Sequence, residues 1–368
     1  MINFIYNLFT ILLMTSLPII NQEKQQMSNG QWSQLKKQGY RQVGNHSAVK
    51  TCEWTRKMLR GQGGCYKYVF YGIRSHQCLQ MTTSMFCASR CKFCWRGQKA
   101  PISKENWYGP IDNPEHIINH SIDEHLKLLI GFKGMGYEKA DKEKISEMDK
   151  IRHVALSLTG EPITYPKINE ILEEFHKRKI STFLVTNSQY PEQIEKIKNV
   201  TQLYLSIDAP NKKLMEKIDQ PLFKDYWKRM EKCLDLLKTR NYRTCIRLTM
   251  IENENMEDLE GYAKLIQKGS PDFIELKSYV WVGGSQKNYK VENMPRIKSM
   301  EEFSKKLLLL LPEYEYMRTH IPSRAILLMK KSLNKKCWIN FPKFFELIET
   351  KKEFNTEDYS SKVIMPNN

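Results

Sequence analysis

"CASRCKFC", residues 87–94, places three cysteines in eight positions with the spacing C-x3-C-x2-C. On a helix these would fall at i, i+4 and i+7, one face of ordinary core. Arg90 and Lys92 stand among them, however, and charged residues interrupt such a face. A zinc site usually takes four protein ligands, or three with His among them. Three thiolates without an obvious fourth suit an iron-sulfur cluster that leaves one iron open.

Working outward, the stretch follows a β-prone run, "LQMTTSMF", and further runs recur downstream: "HVALSL", "TFLVTN", "QLYLSID", "TCIRLTM" and "FIELKSY". Between them lie "YPKINEILEEFHKRK", "PLFKDYWKRMEKCLDLLKTR" and "NMEDLEGYAKLIQKG", with apolar residues at helical spacing. Alternation of this kind predicts parallel strands joined by helices, an α/β chain with six strands, enough for most of a barrel. Each run closes on polar residues: "TGE" at 159–161, "TN" at 186–187, "SID" at 206–208, "RLT" at 247–249 and "KSY" at 277–279. In a parallel barrel these ends converge on one mouth. The expected organisation is a hydrophobic segment at 1–26, a basic extension at 27–78, the barrel at 79–330 and a C-terminal extension at 331–368.

The chain of 368 residues carries a net charge of +17. Fourteen basic residues stand against one acid, Glu53, between Lys24 and Ala100. "WSQLKKQGYR" and "WTRKMLRGQ" interleave that charge with aromatics, a composition suited to phosphates and unstacked bases. A solvated basic face, or positive charge gathered around buried thiolates, is the other reading. Residues 1–22 carry no charged side chain, but Asn3, Asn7 and Pro18 interrupt them, and neither a basic n-region nor a small-residue cleavage site accompanies them. A cytoplasmic protein is expected, with this segment either an unstructured extension or a membrane tether. Upstream of the first triplet, Cys52, Cys65 and Cys78 are spaced C-x12-C-x12-C and repeat its three-thiolate logic. A second cluster or a zinc site completed by His76 would satisfy it. Cys233, Cys245 and Cys337 read as core.

C-x3-C-x2-C after a strand, with Phe93 before the last cysteine, resembles the motif of the radical S-adenosylmethionine superfamily. The resemblance implies a partial (β/α)6 TIM-like barrel whose 4Fe-4S cluster, on Cys87, Cys91 and Cys94, holds and reductively cleaves S-adenosylmethionine. "SLTGEP" is similar to that superfamily's glycine-and-acid motif, which would place Gly160 and Glu161 on the methionine amino group. Asn187, Ser206 and Asp208 match further cofactor contacts at strand ends.

All six clustered cysteines, with "YLSIDAP", "FIELKSYVWVGGSQ" and "MPRIKSMEEF", resemble the tRNA 4-demethylwyosine synthases from about Lys50 to Lys330. That resemblance implies two 4Fe-4S clusters, the second on Cys52, Cys65 and Cys78. The substrates it implies are N1-methylguanosine of tRNA-Phe and pyruvate, whose two-carbon unit closes the third ring of the base. It makes Lys67 the Schiff-base residue or, alternatively, an electrostatic anchor for the pyruvate carboxylate. Tyr66, Tyr68 and Phe70 are expected to desolvate that amine. The sequence departs from the family at Ser188, where glycine is usual. Fewer than sixty residues before Cys52 leave no room for a flavodoxin-like domain. A monomer supplied by an external flavodoxin- or ferredoxin-like donor is therefore expected. The rivals are another radical enzyme with an auxiliary cluster and a non-catalytic zinc-containing RNA-binding protein.

Overall fold

A computed structural model describes residues 27–97, 100–134 and 140–363, so the hydrophobic segment at 1–26 lies outside the described residues. Twelve strands are described: β1 (Arg41–Val43), β2 (Ser47–Val49), β3 (Cys78–Thr82), β4 (His153–Leu156), β5 (Ser181–Thr186), β6 (Gln202–Ser206), β7 (Arg243–Met250), β8 (Phe273–Ser278), β9 (Tyr314–His320), β10 (Ala325–Lys330), β11 (Trp338–Ile339) and β12 (Ser360–Ser361). Ten form one sheet in the order β1-β2-β3-β4-β5-β6-β7-β8-β10-β9. From β3 to β8 every pairing is parallel, the six-stranded partial barrel that the alternation of runs predicts. These strands are apolar almost throughout because helices cover the outer face and the inner face is closed. The helix Ile168–Lys177, for example, buries Ile168, Ile171, Leu172 and Phe175 against them.

The register decides which side chains face inward together. Val185 pairs with Tyr204, Tyr204 with Cys245 and Cys245 with Phe273, which sets one layer. One step toward the mouth, Ser206 pairs with Arg247 and Arg247 with Glu275; above them Thr249 pairs with Lys277. Charged residues in an otherwise buried sheet thus stack at one end, where a parallel barrel keeps its site.

Two hairpins extend the sheet beyond the expected strands. β1 and β2 add to β3 antiparallel, and β10 and β9 continue β8 antiparallel. The expected helix at 221–240 starts only at Tyr226. Its leading residues serve instead to hold the cysteine loop: Pro221 bridges Ser89, and the Leu222 N–H donates to the Ala88 carbonyl at 2.8 Å.

Residues 332–363 fold back onto the barrel, burying Phe344, Phe345 and Tyr359 in the main core. Fully buried Arg243 ties them in. It donates to Gln202 Oε1 at 3.1 Å, to the Cys337 carbonyl at 2.7 Å and to Ser360 Oγ, and its guanidinium lies 4.3 Å over the Phe273 ring. Among the described residues no helix is long and apolar enough to cross a membrane.

Candidate functional site

Cys87, Cys91 and Cys94 lie on the loop after β3 and not on a helix. Backbone bonds pin that loop from two sides: Arg90 N–H donates to the Asp219 carbonyl at 3.0 Å, Lys92 N–H to Ile218 at 2.8 Å, and Gly284 N–H to Trp95 at 2.7 Å. The glycines of "VGG" are required by this approach. A Cβ on Gly283, which has φ +61°, would stand 2.3 Å from the Trp95 carbonyl oxygen, and one on Gly284 would stand 2.4 Å from Gly97 Cα. Phe93 packs with Ile251, Tyr279, Tyr289 and Met294, closing the loop against the ends of β7 and β8.

Cys91 feels both Cys87 and Cys94, Cys87 feels Cys94, and burial pushes all three toward the protonated form. Only metal binding or nearby donors would hold them as thiolates. Donors are present: the Ser89 N–H points at Cys87, the Arg96 and Gly97 N–H groups point at Cys94, and Asn187 Nδ2 lies 3.8 Å from Cys87 Sγ. No three His, Cys, Asp or Glu among the described residues are grouped as a single metal ion would need. A four-iron cluster is a larger body whose thiolates stand further apart, and this donor set fits it.

The strand ends supply a second wall. Glu161, buried, accepts from the Asn187 N–H at 3.0 Å through Oε2, while Oε1 has no partner among the described residues. Burial pushes its carboxyl up to about 8, with the Asn187 N–H and the Thr186 hydroxyl opposing. Gly160 makes the turn possible: its φ is +67°, and a Cβ there would lie 2.0 Å from the Ser84 carbonyl oxygen. Gly160→Ala is expected to cost about 1–3 kcal/mol of stability from backbone strain alone, checked by denaturant melts.

Ser188 also adopts a left-handed φ, +63°, which accounts for glycine being usual there. Its hydroxyl donates to the Ser206 carbonyl at 3.2 Å and joins the ends of β5 and β6. Asp208 Oδ1 accepts from the Thr249 N–H at 2.8 Å.

Cys52 caps the helix Glu53–Leu59, Cys65 caps the helix Tyr66–Tyr71, and Cys78 opens β3. Their thiols also act on one another, and burial raises Cys52 to about 11 and Cys78 further. The N–H groups of Trp54 and Thr55 point at Cys52, and that of Ala155 at Cys78. His76 is not with them: its ring nitrogens meet Glu147 Oε2 at 2.7 Å and Met58 Sδ at 3.3 Å. A zinc site completed by His76 is therefore ruled out by where that ring points.

Lys67 reaches from the second helix into the barrel, its Nζ 4.3 Å from the centroid of Tyr204 and 5.8 Å from that of Phe183. These rings, on β6 and β5, form its apolar wall; of the expected ones, Tyr66 packs on Phe70 and Tyr68 on Trp338. Burial lowers the Lys67 pKa, Glu275 opposes this, and Arg247 adds to it. The ammonium has no hydrogen-bond acceptor among the described residues; the Arg247 guanidinium is held in the charged form by Tyr66, Glu275 and Asp208 around it.

A line of buried charges connects the two cysteine sets: Cys65 and Cys78 act on Lys67, Lys67 on Arg247, Arg247 on Asp208, Asp208 on Asp219, and Asp219 on Cys91. Both sets thus face one interior. Glu275, which accepts from the Tyr71 hydroxyl at 2.8 Å and leaves Oε2 without a partner among the described residues, and Asp219 are the members that sequence reasoning missed. An acid inside the apolar run "FIELKS" was the available signal for Glu275.

The family model described as Radical SAM superfamily matches residues 81–266, and that described as Wyosine base formation matches 268–330. An S-adenosyl-L-methionine-dependent tRNA 4-demethylwyosine synthase of Oryza sativa is 44% identical over 332 residues, 88% of this chain and 50% of that protein. Its Homo sapiens counterpart is 42% identical over 339 residues, 89% and 46%. The chain spans about half the length of the curated relatives it matches. A solved structure of TYW1 with a lysine-pyruvate adduct bound superposes with TM-score 0.74 at 34% identity, covering 83% of this chain and 97% of that one. Archaeal TYW1 gives 0.67 at 32%, with the same coverage. On these matches the chain belongs to the radical SAM superfamily and, within it, to the family of tRNA 4-demethylwyosine synthases.

Proposed function

We propose that the chain condenses N1-methylguanosine of tRNA-Phe with a two-carbon unit of pyruvate to form 4-demethylwyosine, on two 4Fe-4S clusters. The observation that carries this reading is the Lys67 amine, depressed by burial and placed inside the barrel between two sets of three thiols. Cys87, Cys91 and Cys94 would hold the first cluster with S-adenosylmethionine, and Cys52, Cys65 and Cys78 the second. When bound, the first cluster with its S-adenosylmethionine supplies reductive cleavage of the sulfonium and hydrogen-atom abstraction.

The chain's own residues do the rest. Neutral Lys67 attacks the keto carbon of pyruvate, forming the C–N bond and releasing water to give an imine. The lowered pKa raises the share of free amine over that of an ordinary lysine. Arg247, which acts on Lys67 and is itself flanked by Glu275 and Asp208, faces the same space and suits the pyruvate carboxylate. Glu161 takes the methionine ammonium on its unpartnered Oε1, with Gly160 allowing the close approach, and Phe93, Asn187, Ser206 and Asp208 would supply the further cofactor contacts. The basic N-terminal third grips the anticodon stem and loop. An external flavodoxin- or ferredoxin-like protein delivers the electron to a monomer in the cytoplasm, a reducing compartment that suits a chain whose described cysteines form no disulfide.

Incubating reduced protein with methylguanosine-containing tRNA-Phe, pyruvate and S-adenosylmethionine tests the reading. The tricyclic base is the expected product. If 5′-deoxyadenosine forms without it, the substrate assignment fails.

A pH dependence follows from Glu161. Because its folded pKa is raised to about 8, the empty protein binds more protons than the unfolded chain between the ordinary carboxylate range and that value. Stability from this group therefore falls as pH rises through the interval. An ammonium seated there must displace the proton, so S-adenosylmethionine affinity rises with pH and levels off near pH 8. Calorimetry in buffers of different ionisation enthalpy should show proton release on binding below that value; affinity independent of pH would remove Glu161 from this role.

A further inference from the structure

Beside the second set of cysteines, and outside every site described above, lies a surface cavity of about 380 Å³ lined by Trp54, Lys57, Gly63, Gly64, Tyr68 and His320, with their neighbours. Its walls belong to the two helices capped by Cys52 and Cys65. Tyr68 follows Lys67 in the chain and turns its ring outward to the cavity, while the lysine points into the barrel from the same helix.

Its chemistry is that of a base-stacking site. Trp54 and Tyr68 present two half-exposed rings. His320 meets Trp54 edge-on at 5.2 Å and carries an Nδ1 with no partner among the described residues. Lys57 Nζ stands 4.7 Å from the Trp54 ring centroid, where a phosphate of a strand crossing the indole would meet it. Gly63 leaves the entrance bare: a Cβ there would find nothing within 4 Å. Arg56 and Arg60, on and at the end of the first helix, add positive charge against the single acid Glu53. Aromatic faces with adjacent cations are how proteins seat single-stranded nucleotides irrespective of sequence.

We infer that this cavity receives an unstacked nucleobase flanking the reacting guanosine, taking it from the anticodon-loop stack so that the methylated base can enter the barrel. The inference rests on the proposed function. Stacking on one aromatic ring accounts for about ten- to a hundred-fold in affinity.

The experiment uses the full chain with both clusters and an anticodon stem-loop carrying 2-aminopurine beside the methylguanosine. On binding, the 2-aminopurine fluorescence should be quenched. Trp54→Ala should weaken binding about ten- to a hundred-fold and abolish most of the quenching, while Trp54→Phe restores binding. Iron content and borohydride-trapped pyruvate should match the parent in both variants, which separates loss of stacking from loss of fold. Equal affinity and equal quenching in parent and Trp54→Ala overturn the cavity's role and leave the proposed function standing. If the parent binds no stem-loop at all, both fall together.

Discussion

Alanine at Cys87, Cys91 or Cys94 is expected to abolish 5′-deoxyadenosine formation and to lower bound iron from about eight to about four per chain. The size of the effect follows from the donor set: each proposed cluster would have three thiolates and no spare, and the loop that presents the first set is fixed by backbone bonds to Asp219, Ile218 and Gly284. No other cysteine stands on that loop: Cys233 Sγ donates to the Ser188 carbonyl at 3.3 Å, Cys245 lies in the barrel layer of Tyr204 and Phe273, and Cys337 is buried. Alanine at Cys52, Cys65 or Cys78 should lower iron by the same amount yet leave 5′-deoxyadenosine formation in place and stop the tricyclic product. That asymmetry is diagnostic. Iron and 5′-deoxyadenosine assays on anaerobically prepared variants check it; loss of 5′-deoxyadenosine from both sets equally would contradict a division of labour.

Lys67→Ala is expected to lower formation of the tricyclic base at least ~10³-fold, since a covalent nucleophile has no partial substitute. Iron content and S-adenosylmethionine cleavage should persist. Lys277 is the rival amine, for it too is buried, and its pKa is pushed down to about 7 by burial, Arg247 and Arg324. Geometry decides between them: Lys277 donates to the carbonyls of Ser323 at 2.5 Å and Ser278 at 3.2 Å, which commits its protons, whereas Lys67 meets only rings and charges. A donor held by two carbonyls is a structural cation; an amine without acceptors is free to react. Full activity in Lys67→Ala would end the covalent proposal.

Much of this was legible in the chain because it is local. Parallel strands covered on both faces read as apolar runs, and a cluster loop keeps its cysteines within a few positions, so β3 to β8 and both cysteine sets were visible. Inward direction is not local. Arg247 and Glu275 become neighbours only through the β7–β8 register, and Asp219 reaches Cys91 only because the loop bonds to residues 218–220. Lys67 shows the limit from another side: adjacent aromatics suggested its wall, but a short helix turns Tyr68 to Trp338 and sends the lysine to Tyr204 and Phe183. The hairpin of β9 and β10 was missed because "AILLMK" is a single apolar run whose partner, Tyr314–His320, is polar and half exposed.

The central claim is that one amine inside the barrel links pyruvate covalently between the two thiol sets. Borohydride reduction of the clustered protein with pyruvate, followed by peptide mapping by mass spectrometry, addresses it directly. The account predicts a reduced pyruvate adduct on the peptide containing Lys67 and on no other; an adduct on Lys277, or none, would contradict it.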